Sequence, residues 1–399
     1  MPRKRFEKLS RLLGRTEALW RQRPFVQLPV PWETSWPALS EALRDLRREE
    51  ILRFESHPAD APGVREAIPE IVSELQSLTE WPVLTDAHPA ETPLTAPQRI
   101  RARKWSLVTS FVGKITASPN REVEQWVDWC SGKGHLGRAL HQVTGAPVTC
   151  IEKKAALCAA GQRESAAAGV SLRFECRDVL RDAMDPVLNP TTGVVALHAC
   201  GHLHATRLCH GVARRVPFMA VAPCCYQRID GMQYLPLSEE ARAAGLPLNR
   251  HQLRLPSLDE TMTGETRRAL RRKEHAFRLG VDLLQRQQSG IDAYRPLGPV
   301  KTAWLRGDFA HFAATIAREK GVPLPGGIDW RDAEAAGWNR FFESSALSLA
   351  RGLFRRALES WLLLDRALYL ESHGYRATIG TFCDEALTPR NLMILASRA

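Results

Sequence analysis

The sequence predicts an α/β, Rossmann-like protein whose parallel sheet is covered by helices on both faces. Three observations carry this. Short apolar runs alternate with helical patterns from residue 97 to residue 226; the run Trp126–Cys130 passes into a glycine-rich turn that opens a helix; and acidic residues close the next two runs. Strands buried on both faces read as continuous apolar runs, and ligands on such sheets bind at the carboxyl ends of the strands.

Residues 1–95 predict a small helical domain. Its basic first stretch repeats Leu9, Leu12, Leu13, Leu19 and Trp20 at helical spacing, the pattern of an amphipathic docking helix, and Glu7 and Glu17 speak against an organellar transit peptide. After the proline-punctuated stretch from Pro24 to Pro37, helices are expected over Ala38–Phe54 and Val64–Leu78, then a linker from Thr85 to Pro97. Residues 97–226 carry the alternation. A helix with a basic start, Arg101–Ile115, leads into strands Trp126–Cys130, Val148–Glu152, Ser171–Asp178, Val194–Ala199 and Phe218–Pro223, with helices near His135–Thr144, Lys154–Ala168 and Leu203–Arg215 between them. There the alternation stops. Residues 227–345 hold helical patches, scattered prolines and the run Arg267, Arg268, Arg271, Arg272 and Lys273, a helical insertion with a basic face. Residues 346–399 return to the sheet with a long helix, Leu353–Glu371, and strands Tyr375–Phe382 and Asn391–Ala396.

The turn runs from Asp128 through Cys130, Ser131, Gly132, Lys133 and Gly134. Small residues let a ligand approach the backbone and the helix start adds N–H groups, so the turn suits the polar end of a nucleotide-like cofactor. Glu152 closes the second strand, where a carboxylate accepts from both ribose hydroxyls, and Asp178 closes the third, where it meets an adenine edge. Tight turns take glycine, and strand ends take acids, for ordinary structural reasons; the three features in series point to an adenosine-type cofactor. A pyrophosphate binder prefers G-x-G-x-x-G, and no G-x-x-x-x-G-K-[ST] cradle occurs. With Asp128 placed to receive an ammonium group or to order loop amides, S-adenosylmethionine fits better than a dinucleotide.

The fourth strand ends L-H-A-C-G and the fifth A-P-C-C-Y, which brings His198, Cys200, Cys224, Cys225 and Tyr226 to the edge that carries the turn. Four readings stand. The cysteines could bind zinc with His198 and His202 or His204, although C-x-x-C pairs are absent and adjacent cysteines chelate poorly, so no metal is expected. Cys224 or Cys225 could be a nucleophile. These residues could instead shape the acceptor pocket, with Tyr226 stacking or hydrogen bonding, or be an inert buried cluster.

The bulk numbers narrow the class. A chain of 399 residues with 44% hydrophobic and 25% charged content is an ordinary globular protein of two or three domains. No apolar run approaches the ~20 residues of a membrane span and no signal peptide is evident, so a cytoplasmic protein is expected. Nine irregularly spaced cysteines are not a disulfide framework. A charge of +11 and a pI of about 9.4 attract polyanions, nucleic acid first, with an anionic membrane surface or a generally Arg-rich proteome as the alternatives.

D-W-C-S-G-K-G-H-L-G, L-H-A-C-G and P-C-C-Y, in this order, resemble a family of class I S-adenosylmethionine-dependent methyltransferase domains. That family occurs in a eukaryotic methyltransferase-like group and in the glutathione-transferase C-terminal-domain-containing protein. The stretch T-P-R-N-L, Thr388–Leu392, is similar to the family's ending, so the resemblance covers roughly Pro97–Tyr226 and Leu353–Ala399. It implies a seven-stranded sheet of order 3-2-1-4-5-7-6 with the last strand antiparallel. It also implies the cofactor over Asp128–Gly134, with Glu152 at the ribose, Asp178 at the adenine and His198 alongside. Relatives carry a Lys-His-Glu-like signature before the first strand, where this chain has Arg103, Lys104, Trp105 and Ser106. The N/D-P-P-Y/F turn of amino-directed enzymes is replaced by His198-Ala199-Cys200-Gly201. A ribose hydroxyl would then use His198 as base, and a carbon acceptor Cys224 or Cys225. A weaker similarity through the paired cysteines is to transfer-RNA acceptor-stem ribose methyltransferases. The sequence therefore predicts an S-adenosylmethionine-dependent methyltransferase of RNA, with a protein or small-molecule methyltransferase and a non-catalytic binding module as the alternatives.

Overall fold

The computed structural model describes residues 2–86, 96, 100–118, 122–182, 184, 187–258 and 264–399, without the side chains of residues 198–200, 202 and 204. Most of the expected linker from Thr85 to Pro97 lies outside these residues. Among them, seven strands form one sheet: β1 Gln125–Trp129, β2 Val148–Glu152, β3 Arg173–Cys176, β4 Thr192–Cys200, β5 Phe218–Cys224, β6 Tyr375–Thr381 and β7 Leu392–Arg398. Their order is β3-β2-β1-β4-β5-β7-β6. The pairs from β3 to β5 are parallel, and β7 is antiparallel to both β5 and β6. This is the order that the family resemblance implies, and the class I methyltransferase fold.

Burial follows position in the sheet. Every residue of β5 is buried, whereas the edge strand β3 is exposed at both ends and half-buried between them. On one face, Leu107, Val108, Phe111, Val112 and Ile115 of helix Ala102–Thr116 pack with Trp126, Phe218, Ala220, Met393 and Phe382. Gly193 makes room for the Trp126 ring, because a Cβ there would stand 2.5 Å from it. Each of these large apolar side chains contributes roughly 1.5–3 kcal/mol by leaving water. The other edge of the expected pattern moved slightly: the strand read over Ser171–Asp178 is only Arg173–Cys176, which leaves Asp178 in the turn beyond it.

The chain divides into two compact units, one made of residues 1–14, 78–258 and 356–399, the other of residues 15–77 and 259–355. In the first, helix Pro2–Arg15 buries Phe6, Leu9, Leu12 and Leu13, and its Phe6 ring lies 5.3 Å from Trp361. Helix Arg355–Ser372 is buried from Ala357 to Leu368, and Asp365 is buried with it. That carboxylate accepts hydrogen bonds from the Tyr234 hydroxyl, the backbone N–H groups of Leu237 and Ser238, and the Ser238 hydroxyl, and so fastens segment 234–238 to the helix.

In the second unit, segments expected as an N-terminal domain and as an insertion fold together. Helices Glu265–Ser289 and Trp330–Gly352 cross where both lack side chains: a Cβ on Gly337 would stand 2.7 Å from the Ala276 carbonyl and 2.9 Å from the Gly280 Cα. The helix expected over Ala38–Phe54 is two, Pro37–Arg44 and Arg48–Arg53, because the Glu50 carboxylate accepts from the Arg47 N–H and starts a new helix there. Likewise Pro69 divides Val64–Ala67 from Pro69–Thr79.

Asp365→Ala would leave several buried donors without their acceptor. We expect a loss of about 3–5 kcal/mol by urea unfolding, against about 1 kcal/mol for Ser238→Ala, which removes one hydroxyl.

Candidate active site

At the carboxyl edge of the sheet, β1 gives way to a turn with three left-handed residues, Cys130 (φ 60°), Gly132 (φ 59°) and Gly134 (φ 70°), before helix His135–Thr144 begins. Two strand-end carboxylates hold this turn. Asp128 accepts from the Gly137 N–H at 3.0 Å, and Glu152 takes the Gly132 N–H at 3.1 Å and the Lys154 N–H at 3.0 Å. Ser131 N–H donates to the Ile151 carbonyl at 2.9 Å, which ties the turn to β2 as well. The glycines differ in purpose. A Cβ on Gly134 would stand 2.7 Å from the Phe174 ring, and one on Gly137 2.7 Å from the Cys150 sulfur, so both permit close packing beneath the turn. A Cβ on Gly132 would meet nothing within 4 Å among the described residues, and the turn's open side lies there.

Asp128 is buried, and burial pushes its carboxyl up to about 7, although the Gly137 N–H and the charges of Lys104 and Arg138 pull it down. Beside it, Arg138 is buried and donates to the Lys133 carbonyl and the Ser165 hydroxyl, both at 3.0 Å, and to His135 Nδ1 at 2.6 Å. Burial and the neighbouring cations lower His135 to about 4, so its neutral ring accepts that bond. Lys133, inside the turn, turns its ammonium to Glu164 at 2.7 Å on helix Ala155–Ala167. Asp178 is bound by Lys153 at 2.8 Å and by the Leu180 N–H at 3.2 Å; the Lys153 bond, first, keeps its carboxyl below the usual range.

The other two motifs interlock. Gly201 is left-handed (φ 62°, ψ −128°), its N–H donates to the Cys224 carbonyl at 3.2 Å, and a Cβ there would lie well inside van der Waals contact with the Arg228 carbonyl oxygen. The glycine of L-H-A-C-G is therefore what lets the chain after P-C-C-Y cross it. Cys224 and Tyr226 are buried, whereas Cys225 is half-exposed and left-handed at φ 47°. The Tyr226 ring faces the Arg366 guanidinium at 5.4 Å, and burial raises its hydroxyl pKa well above the ordinary value. The side chain of His198 lies outside the described residues, as do those of Ala199 and Cys200. Among the described residues no group of three or more His, Cys, Asp or Glu could hold a metal ion.

One cluster escaped the motif reading. Glu359 is 3% exposed; its Oε2 accepts from Arg356 Nη1 at 2.8 Å, while Oε1 has no hydrogen-bond partner among the described residues. Arg356 also reaches Asn391, the asparagine of T-P-R-N-L, at 2.9 Å, and Asn391 in turn holds the Cys383 carbonyl at 2.8 Å. Burial raises the Glu359 carboxyl. The available signal was an acid set within the apolar run Ala357–Leu364, where an exposed carboxylate has no place.

Residues 103–232 match the family model described as a methyltransferase domain. This stretch is similar to a methyltransferase domain. The chain is also 29% identical over 189 residues to the glutathione S-transferase C-terminal domain-containing protein of Xenopus laevis, covering 46% of this chain and 26% of that protein. The Homo sapiens counterpart is 27% identical over 186 residues, covering 46% and 28%. The chain thus spans little more than a quarter of the curated relatives it matches. Among solved structures, coclaurine N-methyltransferase bound to N-methylheliamine and SAH aligns at 11% identity with a TM-score of 0.26, covering 87% of this chain and 95% of that one. Geranyl diphosphate methyltransferase in complex with GPP and sinefungin aligns at 15% identity and a TM-score of 0.25, covering 43% and 64%. Both likenesses are too slight to bear on substrate.

The geometry of this sheet edge makes two predictions. Gly201→Ala combines left-handed strain with a backbone collision and should cost about 2–4 kcal/mol, whereas Gly145→Ala, left-handed with open space around it, should cost about 1 kcal/mol; chemical denaturation compares them. Because the folded Asp128 carboxyl titrates near 7 and an unfolded one near 4, its stabilising contribution is full below about pH 4 and is lost as pH rises through about 7. Wild type should therefore lose stability relative to Asp128→Asn across that window in paired urea melts, with no further change above it.

Proposed function

We propose that this chain is an S-adenosylmethionine-dependent methyltransferase acting on RNA. The observation that carries the donor half is the turn held by its own strand-end carboxylates, with Glu152 and Asp178 spaced along the same edge. The residues fit such a donor. Space is open at Gly132, and the carboxylates of Glu152 and Asp178 keep lone pairs beyond those used by Gly132, Lys154, Lys153 and Leu180. Glu152 would hold the ribose hydroxyls, Asp178 the adenine edge, and the residues Cys130–Gly134 the methionine end. When bound, the donor supplies an electrophilic methyl group, and the chain's task is then alignment and, for some acceptors, removal of a proton. In this reading a hydroxyl acceptor passes its proton to His198, and a carbon acceptor uses the half-exposed Cys225 in preference to the buried Cys224.

The acceptor half rests on charge. The net charge of +11 favours a polyanion. Part of the basic surface is spent internally: Arg268 and Arg272 pair with Glu265, and Lys273 donates to the Gly307 carbonyl. Arg3 pairs with Glu240 and Arg15 with Glu74. Arg267 is exposed at the start of the same helix and is the first choice for a phosphate contact.

Calorimetry with S-adenosylmethionine, together with transfer of tritiated methyl to total transfer RNA, tests both halves. Glu152→Ala should weaken donor binding about 10- to 100-fold, the range expected for lost hydrogen bonds to a charged group. RNA labelling should fall steeply with added salt as counterions compete. No donor binding by wild type would defeat the methyltransferase reading. Label entering protein or small molecules instead of RNA would defeat the acceptor reading alone.

A further inference from the structure

Two thiols meet behind the adenosine side of the proposed donor site. Cys176 ends the edge strand β3 directly opposite Glu152 of β2, and Cys158 lies in the first turn of helix Ala155–Ala167, which follows β2. The Cys158 thiol donates to the Glu152 carbonyl and the Cys176 thiol to the Lys153 carbonyl, each at 3.4 Å, so the two sulfurs stand against successive carbonyls at the end of β2. Both are unoxidised. Cys176 is exposed and Cys158 is only 7% exposed, so a small oxidant arriving from solvent meets Cys176 first, with Cys158 waiting beneath it.

The backbone these thiols touch is the backbone that places the donor carboxylates. The Glu152 carbonyl also accepts from the Arg177 N–H at 3.1 Å, one residue before Asp178. Glu152's own side chain holds the turn through Gly132. The edge strand has neighbours on one side only and its burial is slight, so it can shift more readily than β1, β4 or β5.

We propose that Cys158 and Cys176 are an oxidation site that forms a reversible disulfide and thereby weakens donor binding; the gating half rests on the donor-site reading above. The oxidant is a peroxide. One peroxide oxygen is transferred to Cys176 Sγ, which becomes a sulfenic acid as the O–O bond breaks and water leaves. Cys158 Sγ then attacks that sulfur, the S–S bond forms, the S–O bond breaks, and the departing hydroxide takes the Cys158 proton as a second water. Two thiols are oxidised by two electrons and one peroxide is reduced to two waters. An added dithiol reverses the change by thiol exchange. Closing the bond removes both S–H donors from the Glu152 and Lys153 carbonyls and draws the edge strand toward the helix, so the carboxylates at positions 152 and 178 lose their spacing. Burial and the neighbouring Cys176 push the Cys158 thiol up to about 11, so little thiolate is present and closure is expected to take minutes rather than milliseconds.

The test treats the chain with hydrogen peroxide, blocks remaining thiols by alkylation, maps the peptides by mass spectrometry, and measures S-adenosylmethionine affinity by calorimetry before and after dithiothreitol. A peptide pair linked through Cys158 and Cys176 is expected, with donor affinity reduced about tenfold and restored by the reductant. Cys158→Ser and Cys176→Ser should each abolish the link and leave donor affinity unchanged by peroxide. Cys176 oxidised while Cys158 stays open to alkylation, in protein unfolded before alkylation, overturns the site. A linked pair with unchanged donor affinity overturns the gating. If the reduced protein binds no donor, the donor-site reading fails and the gating with it, while the mapping still decides the disulfide.

Discussion

Parallel strands that end at one edge leave their last backbone groups without ladder partners, and here two carboxylates, Asp128 and Glu152, meet that constraint. Each reaches forward from a strand end to a backbone N–H of the glycine turn or of the helix behind it. The geometry is self-supporting: the acids fix the turn, and the turn gives the acids their hydrogen bonds. Asp128 lies at the start of helix His135–Thr144, where the partial positive charge of the helix terminus favours an anion, yet burial still holds its carboxyl near neutrality. Desolvation outweighs the helix terminus and the two nearby cations together. A carboxyl in that state serves the shape of the turn, and Glu152, half-buried with lone pairs to spare, is the better placed of the two to meet a ligand.

The ends of β4 and β5 obey a steric constraint instead of an electrostatic one. Gly201 stands where the chain leaving β5 crosses the chain leaving β4, and only hydrogen fits against the Arg228 carbonyl. L-H-A-C-G and P-C-C-Y are thus two halves of one crossing, which is why their spacing along the sequence carries information that neither motif has alone. Behind the crossing, Tyr226 lies against Arg366, and Glu359, Arg356 and Asn391 bind the segment before β7 to helix Arg355–Ser372. The T-P-R-N-L stretch therefore has a structural office: its asparagine joins two segments that the sequence separates.

Much of this was legible in the sequence because it is local. The strand runs, the turn and the acids at strand ends depend on residues a few positions apart, and the structure places them within one or two residues of expectation. Asp178 is instructive. Its apolar neighbours extend the strand pattern to it, but an edge strand with solvent on one side lacks the burial to hold those last residues in the ladder, and β3 stops at Cys176. What could not be read was whatever depends on distant segments. Nothing in Arg15–Ser77 announces that it folds with residues 259–355, and nothing local tells that Lys133 is bound to Glu164 or that Arg268 and Arg272 of the basic run pair with Glu265. Cysteines pose the same difficulty, since Cys158 and Cys176 meet only through the pairing of β2 with β3.

The backbone strain at this edge is not evenly spread. Among the described residues three positions other than glycine are left-handed, Cys130, Arg215 and Cys225, and two of them directly follow β1 and β5. A side chain in that region costs of order 1–2 kcal/mol, and glycine would remove the cost. The strain persists because the next residues are tied down, Ser131 to Ile151 and Arg228 to the Cys225 carbonyl, so the backbone is set by hydrogen bonds whichever residue occupies the bend. Glycine in place of Cys130 would keep those bonds and remove the strain of a side chain at the bend. The thiol at Cys130 is accordingly the feature of this loop that backbone geometry does not require.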